Sequence, residues 1–252
     1  KRLKESLPLQ VKPTLLAAHA LPEEFKEDRA GYLDLVLNEL LPAVSREGLA
    51  DFIDVFCETN YFTVAEMEQV LEAGERKGMK GKVHVNQFTS IGGIAAAVKH
   101  GAMSVDHLEV MEESDITALA GSNTIPTLLP SCSFFLRIPY APARALIDRG
   151  CAVALASDHN PGSSPTGNMN LVLSLACIQL RMLPEEAINA ATMNAAAAMG
   201  LSAELGSITK GKRASFIITK PIPSLAYLPY AFGADHIDTV IIDGKPARAG
   251  EA

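Results

Sequence analysis

Six times along this chain a short apolar run closes on a polar or turn-forming residue and gives way to a helical pattern. The runs cover residues 11–19, 51–58, 81–87, 102–109, 124–130 and 151–158. Each is short enough for a strand and apolar enough to be buried on both faces. Between them lie stretches with one apolar helical face, such as Tyr32, Leu35, Val36, Leu40 and Val44. That alternation predicts βα units on a parallel sheet. No Gly-x-Gly-x-x-Gly follows any of the runs, so a dinucleotide fold has no support. Polar residues that end several different strands belong to a (β/α) barrel, which places its chemistry at that end. The expected fold is α/β: an incomplete (β/α) TIM-type barrel with six of the usual eight strands, over residues 1–204.

Local signals place the element ends. Thr63-Val-Ala-Glu66 reads as a capping box and Gly78 as a helix stop. Helices are predicted over 141–149, 168–181 and 185–199, the last starting at Pro184 and stopping at Gly200. Phe134 and Phe135 fall in a predicted loop. From Leu205 the texture changes to short β runs with turn glycines, Gly206, Gly211 and Gly244 among them. Residues 205–252 therefore read as part of a small β domain, ending in a hairpin at Gly244-Lys245. His236 within it is read as structural or surface.

Charge and cysteine usage narrow the functional classes. The formal net charge of −7, without basic clusters, argues against nucleic acid or an anionic membrane as partner. No apolar run approaches the roughly 20 residues needed to span a bilayer, and no signal-peptide pattern is visible. Cys57, Cys132, Cys151 and Cys177 form no C-x-x-C pair, which suits reduced thiols and a cytoplasmic protein. The sequence opens Lys1-Arg2-Leu3 without Met, so a piece of a longer polypeptide is expected.

Four of the six histidines, His19, His84, His107 and His159, stand at or near predicted strand ends. A lone loop histidine is ordinarily just a satisfied polar group. The set, joined by Glu58, Gln87, Asp158 and Asn160, predicts a metal or acid/base site, because strand ends converge in a barrel mouth. His100 precedes Gly101 at a helix end and reads as a capping cation. Asp158 is followed by Asn160 and a Pro-Gly-Ser-Ser-Pro turn. The backbone N–H groups of such a turn can face a small anion. The plainer alternative is a side chain that hydrogen-bonds its own turn.

Three motifs carry a resemblance: His84-x-x-Gln87, Ser104-Val-Asp-His107-Leu and Ser157-Asp158-x-Asn160-Pro-Gly-Ser-Ser-Pro. They resemble the imidazolonepropionases of the metal-dependent amidohydrolase superfamily. Thr14-x-x-x-Ala18-His19-Ala-x-Pro22, Asp54-Val-Phe-Cys-Glu58 and Gly206-Ser-x-x-x-Gly211-Lys match as well, so the likeness covers essentially the whole chain. Two positions depart from the pattern. The family often has an acidic residue where this chain has Gln87, and it varies at His159, which is therefore not taken as a ligand.

The resemblance implies that His84 and Asp158 bind one Zn²⁺ or Fe ion. It implies that His107 orients or deprotonates the attacking water, and that Gln87 and His19 contact the substrate ring. Asn160, Gly162 and Ser163 would hold the propionate and the amide of a small-molecule substrate. Glu58 would orient the water or a neighbouring group, and Asp158 would pass a proton to the leaving nitrogen. The implied reaction opens the cyclic amide of 4-imidazolone-5-propanoate to N-formimidoyl-L-glutamate, a step of histidine degradation. The family's His-x-His pair and first strands have no counterpart here, so a C-terminal portion that is weak or inactive by itself is expected. The alternatives are another cyclic amidohydrolase or deaminase, or a non-catalytic barrel remnant that covers its open sheet edge as a homodimer.

Overall fold

A computed structural model of the chain describes residues 2–247. Its parallel strands are β1 (Thr14–Ala18), β2 (Phe52–Cys57), β3 (Lys80–Val85), β4 (Ser104–His107), β5 (Ile125–Leu128) and β6 (Ala154–Leu155). They lie in sequence order, β1-β2-β3-β4-β5-β6, as consecutive strands of a (β/α) barrel do. A three-stranded antiparallel sheet follows, with β7 (Phe216–Thr219), β8 (Ile237–Ile242) and β9 (Lys245–Pro246).

The chain divides into two compact units. The first comprises Lys12–Pro126 with Asp148–Cys151 and holds β1 to β4. Its strands alternate sharply between two faces, as a pleated backbone requires. Ile53 and Val55, Val83 and Val85, and Val105 are at most 1% exposed and build the core with Phe62, Met67 and Ile94. The even-numbered positions carry Asp54 and Phe56, Lys82 and His84, and Ser104 and Asp106. The parallel register aligns these in rows, Asp54 with Lys82 and Ser104, and Phe56 with His84 and Asp106. One face of the sheet is a hydrophobic core and the other is a polar lining.

The helices behind these strands follow the predicted signals. The helix Val64–Glu75 starts at a capping box, Thr63 with Glu66, and Arg29 Nη2 donates to the same Glu66 at 2.8 Å. Burial pushes the Glu66 carboxyl up, but the hydrogen bonds from Arg29 and Thr63 prevail and hold it below the usual range. Gly93 opens the helix Gly93–Lys99 with its Cα packed against Val85 and Cys57. His100 caps that helix at its C-terminal end, with Nε2 at 3.2 Å from Glu68 Oε1.

The second unit comprises Thr127–Ile147, the chain from Ala152 onward and the segment up to Val11. Within it Thr127 pairs with Ala154 and Leu128 with Leu155. The run 151–158 is regular strand at Ala154–Leu155 alone. Beyond it the Ser157 carbonyl accepts from two hydroxyls, Ser131 Oγ at 2.8 Å and Ser164 Oγ at 2.7 Å, instead of from a strand. The expected loop around Phe134 and Phe135 is instead the helix Pro130–Leu136. Pro130 starts it, because a missing N–H costs nothing in a first turn. In the antiparallel sheet the predicted hairpin is present, with Ile242 paired to Lys245. The β run expected near Gly206 forms only at Phe216–Thr219. His236 is buried and structural, with Nε2 at 3.1 Å from the Ala231 carbonyl. Among the described residues no helix is long and apolar enough to cross a membrane.

Candidate active site

In the first unit three histidines named by the sequence meet above the polar lining. His19 follows β1 directly, His84 lies near the end of β3, and His107 closes β4. The His19 ring stacks on Phe56 at 5.4 Å and stands edge-on to His84 at 6.0 Å. His84 lies 5.4 Å from His107, centroid to centroid. Strict alternation would send His107 to the core side with Val105. A left-handed φ of 85° at His107, followed by 71° at Leu108, breaks the alternation and turns the imidazole toward His84. Such strain in non-glycine residues is held only where the surroundings over-determine it, commonly at functional sites.

His84 and His107 each have a carboxylate near the ring. His84 Nδ1 is 3.0 Å from Asp54 Oδ1. His107 Nδ1 is 3.7 Å from Glu109 Oε2, an ion-pair distance beyond hydrogen-bond range. That His107 nitrogen is buried and has no hydrogen-bond partner among the described residues. Buried polar atoms are nearly always satisfied, so an orphan beside two other imidazoles marks a place adapted for something other than packing.

Glu58 accepts hydrogen bonds at both carboxylate oxygens. Oε1 accepts the Thr59 N–H at 2.7 Å and the Thr89 hydroxyl, while Oε2 accepts the Phe88 N–H at 2.9 Å. Both oxygens are thereby engaged by the chain around them. Phe88 and Thr89 follow Gln87, which is itself buried. Asn86 next to it has φ 55°, and its amide donates to the Val110 carbonyl at 2.7 Å.

In the second unit Asp158, Asn160, Gly162 and Ser163 form one closed turn. Asp158 takes φ 51°. Asn160 Oδ1 accepts the N–H groups of Gly162 and Ser163, both at 2.8 Å. Asn160 Nδ2 donates to the Asp158 carbonyl at 2.7 Å and to Ser163 Oγ at 2.8 Å. The two N–H groups that the sequence offered to an anion are thus held by the Asn160 side chain, as in an Asx turn. Ser163 Oγ has one proton and two acceptors in reach, Asn160 Oδ1 at 3.2 Å and Asp158 Oδ2 at 3.4 Å. His159 is exposed.

Sequence reasoning gave no role to Asp54 and Asp106. With His84 they form a cluster whose ligand-capable atoms lie within 4.8 Å of one another. The available signal was an aspartate in mid-strand, Phe-Ile-Asp54-Val-Phe, where an apolar residue is expected. The donor set is imidazole and carboxylate, which suits zinc or ferrous iron better than calcium or magnesium. A carboxylate behind one imidazole is also the usual support of a metal-bound histidine. These residues fit a metal ion.

Parallel βα units with histidines and aspartate at strand ends define a class of hydrolases. The model described as Amidohydrolase family matches residues 58–247, and the chain belongs to that family. Among curated relatives it is 58% identical to the imidazolonepropionase of Christiangramia forsetii over 245 residues, 97% of this chain and 60% of that protein. The imidazolonepropionase of Flavobacterium johnsoniae is 56% identical over the same share of each chain. This chain therefore spans 60% of the length of those relatives. Among solved structures it is similar to an adenosine deaminase from Xanthomonas campestris with bound zinc, at TM-score 0.74 and 18% identity over 97% of this chain and 62% of that one. A 5-methylcytosine deaminase from Klebsiella pneumoniae gives TM-score 0.76 at 16% identity, over 97% and 64%. At such identities the likeness establishes the fold.

Proposed function

We propose that the protein carrying this chain hydrolyses the cyclic amide of 4-imidazolone-5-propanoate to N-formimidoyl-L-glutamate, in the breakdown of histidine. The observation that carries the reading is 58% identity to an imidazolonepropionase across 97% of the chain. The gathering of His19, His84 and His107 supports it. When bound, a divalent zinc or iron ion lowers the pKa of a water toward about 7 and polarises the amide carbonyl.

The residues of this chain supply the rest of the chemistry. His84 is assigned as a metal ligand, with Asp54 behind its ring. Asp158 keeps the ligand and proton-transfer roles that the family resemblance gives it, with Ser163 Oγ at 3.4 Å from its Oδ2. His107, with Glu109 beside Nδ1, is assigned to orient the attacking water and take its proton. His19 and Gln87 are assigned to the substrate ring. Asn160, Gly162 and Ser163 shape the turn at the propionate end. Glu58 acts by positioning the Gln87 loop. Of the span 205–252, the residues up to 247 are assigned to a small β domain, and the rest lies outside the described residues.

The test measures metal content by mass spectrometry and 4-imidazolone-5-propanoate hydrolysis on one purified sample of the longer protein that carries this chain, for the wild type and for His84→Ala. About one metal per chain with turnover, both lost in the variant, is the expected result. Turnover that survives loss of metal would overturn the mechanism. Bound metal with turnover of another ring, but not this one, would move the substrate assignment to a different cyclic amide.

A further inference from the structure

Asp54 is the most costly residue in its strand. Its side chain is 5% exposed and its sequence neighbours are Phe52, Ile53, Val55 and Phe56. A carboxylate in such surroundings loses much of its hydration and needs a partner to compensate. The partner is His84, whose Nδ1 lies 3.0 Å from Asp54 Oδ1. Asp106, the other carboxylate of the cluster, is held separately: Ser104 Oγ donates to its Oδ1 at 2.8 Å, and Lys82 Nζ donates to Ser104 Oγ at 2.9 Å. The groups facing the His84 ring are thus Asp54 from β2, Asp106 from β4, His107 at 5.4 Å and His19 at 6.0 Å.

An ionised carboxylate has only lone pairs to offer, so an imidazole that bonds to it must donate N–H from the nearer nitrogen. For His84 that nitrogen is Nδ1, and the lone pair of the neutral ring then belongs to Nε2. We propose that Asp54 is the positioning residue of His84, fixing the Nδ1–H tautomer so that Nε2 is the nitrogen offered to a divalent cation. The tautomer stands independently of the functional reading, and only its use toward a cation rests on it.

The parallel register explains why Asp54 can do this. Asp54 is one pleat before Phe56, the residue aligned with His84, so its carboxylate approaches the ring from behind along the strand. Phe56 stacks with His19 and fills the space beside the ring, leaving the approach to Nδ1 to the carboxylate.

The experiment is ¹⁵N nuclear magnetic resonance of the metal-free 252-residue chain labelled at histidine, with His84 assigned by loss of its signals in His84→Gln. The wild type is expected to show protonated Nδ1 and unprotonated Nε2 at His84. Asp54→Asn keeps an acceptor oxygen and retains that pattern, while Asp54→Leu shifts His84 toward the Nε2–H form. Circular dichroism checks that both variants fold. A Co²⁺ titration of the same samples reads the consequence, with affinity falling about 10–100-fold in Asp54→Leu and much less in Asp54→Asn. An Nε2–H ring in the wild type, or a His84 signal indifferent to Asp54→Leu, overturns the proposal. If the tautomer is as stated and the wild type binds no Co²⁺, the positioning by Asp54 is supported and the metal reading of this chain fails.

Discussion

Thr89 donates its backbone N–H to Glu58 Oε2 at 3.1 Å, so the residue after β2 anchors the loop after β3. Phe88 donates to the same oxygen at 2.9 Å. Removing the carboxylate leaves amides without acceptors, a loss of about 1–3 kcal/mol. Glu58→Ala is expected to lower stability by that amount in urea denaturation, with Glu58→Gln less affected. Amide exchange at Phe88 and Thr89 should quicken in Glu58→Ala. Unchanged protection of those two amides would show that the loop is held by something else.

Gly93 allows its helix to sit directly on the sheet. A Cβ built there would stand 2.6 Å from Val85 Cγ2 and 3.0 Å from Cys57 Sγ. Val85 is β-branched and stiff, so relief must come from the backbone. Alanine would favour the helix by up to about 1 kcal/mol, against an overpacking cost of about 1–3 kcal/mol. Gly93→Ala should therefore be destabilised on balance. A higher urea midpoint would mean that the helix can withdraw without cost.

The pair Arg144–Glu186 gives a pH dependence with a definite sign. Arg144 Nη1 and Nη2 donate to the two Glu186 oxygens at 2.8 and 3.0 Å. The Arg144 hydrogen bond leads in holding the Glu186 carboxyl below its ordinary value of 4.5. A carboxyl depressed in the folded state contributes its full stabilisation above the unfolded value and loses it as pH falls through the folded value. Both side chains are partly exposed, which limits the pair to less than about 1 kcal/mol. Arg144→Met should therefore lower stability at pH 7 but approach the wild type in strong acid. A gap between the two proteins that is constant from pH 7 to pH 2 would contradict it.

Thiol chemistry separates the buried cysteines from the half-buried ones. Burial, with the nearby charges of Glu58 and Glu66, pushes the Cys57 thiol up to about 12. Cys151 and Cys177 are raised too, chiefly by burial, but both are partly open to solvent. Iodoacetamide at pH 8 should modify Cys151 and Cys177 slowly and spare Cys57 until denaturant is added, because the thiolate is the reacting form. Peptide mapping that finds alkylated Cys57 in the folded protein would refute the assignment.

Much of the architecture was legible because periodicity survives in a single sequence. Each of the six apolar runs contains a strand, though the run 151–158 only at Ala154–Leu155, and the Thr63–Glu66 capping box and the Gly244 hairpin formed where the residue pattern placed them. What escaped depends on register, which links residues far apart in the chain. Asp54 and Asp106 each look like one polar residue in an apolar run, and only the alignment of β2, β3 and β4 sets them on either side of His84. The turn after Asp158 was ambiguous for a different reason. Asn and Gly suit both an anion cradle and an Asx turn, and the choice is made by the direction of one amide side chain. The helix at Phe134 was missed because Pro130 can end a strand as readily as begin a helix.

The two serine hydroxyls on the Ser157 carbonyl have a bearing on how this fold diversifies. A ladder amide is rigidly aimed by its own strand, so a loop fastened by one cannot be redirected without disturbing a neighbour. A hydroxyl swivels about its Cβ–Oγ bond and meets its acceptor over a range of directions. The segment leading into Asp158 is therefore moored by swivelling contacts, one of them from within its own turn. Exchanges in residues 159–163 can reshape that turn while leaving the hydrogen-bonded sheet untouched.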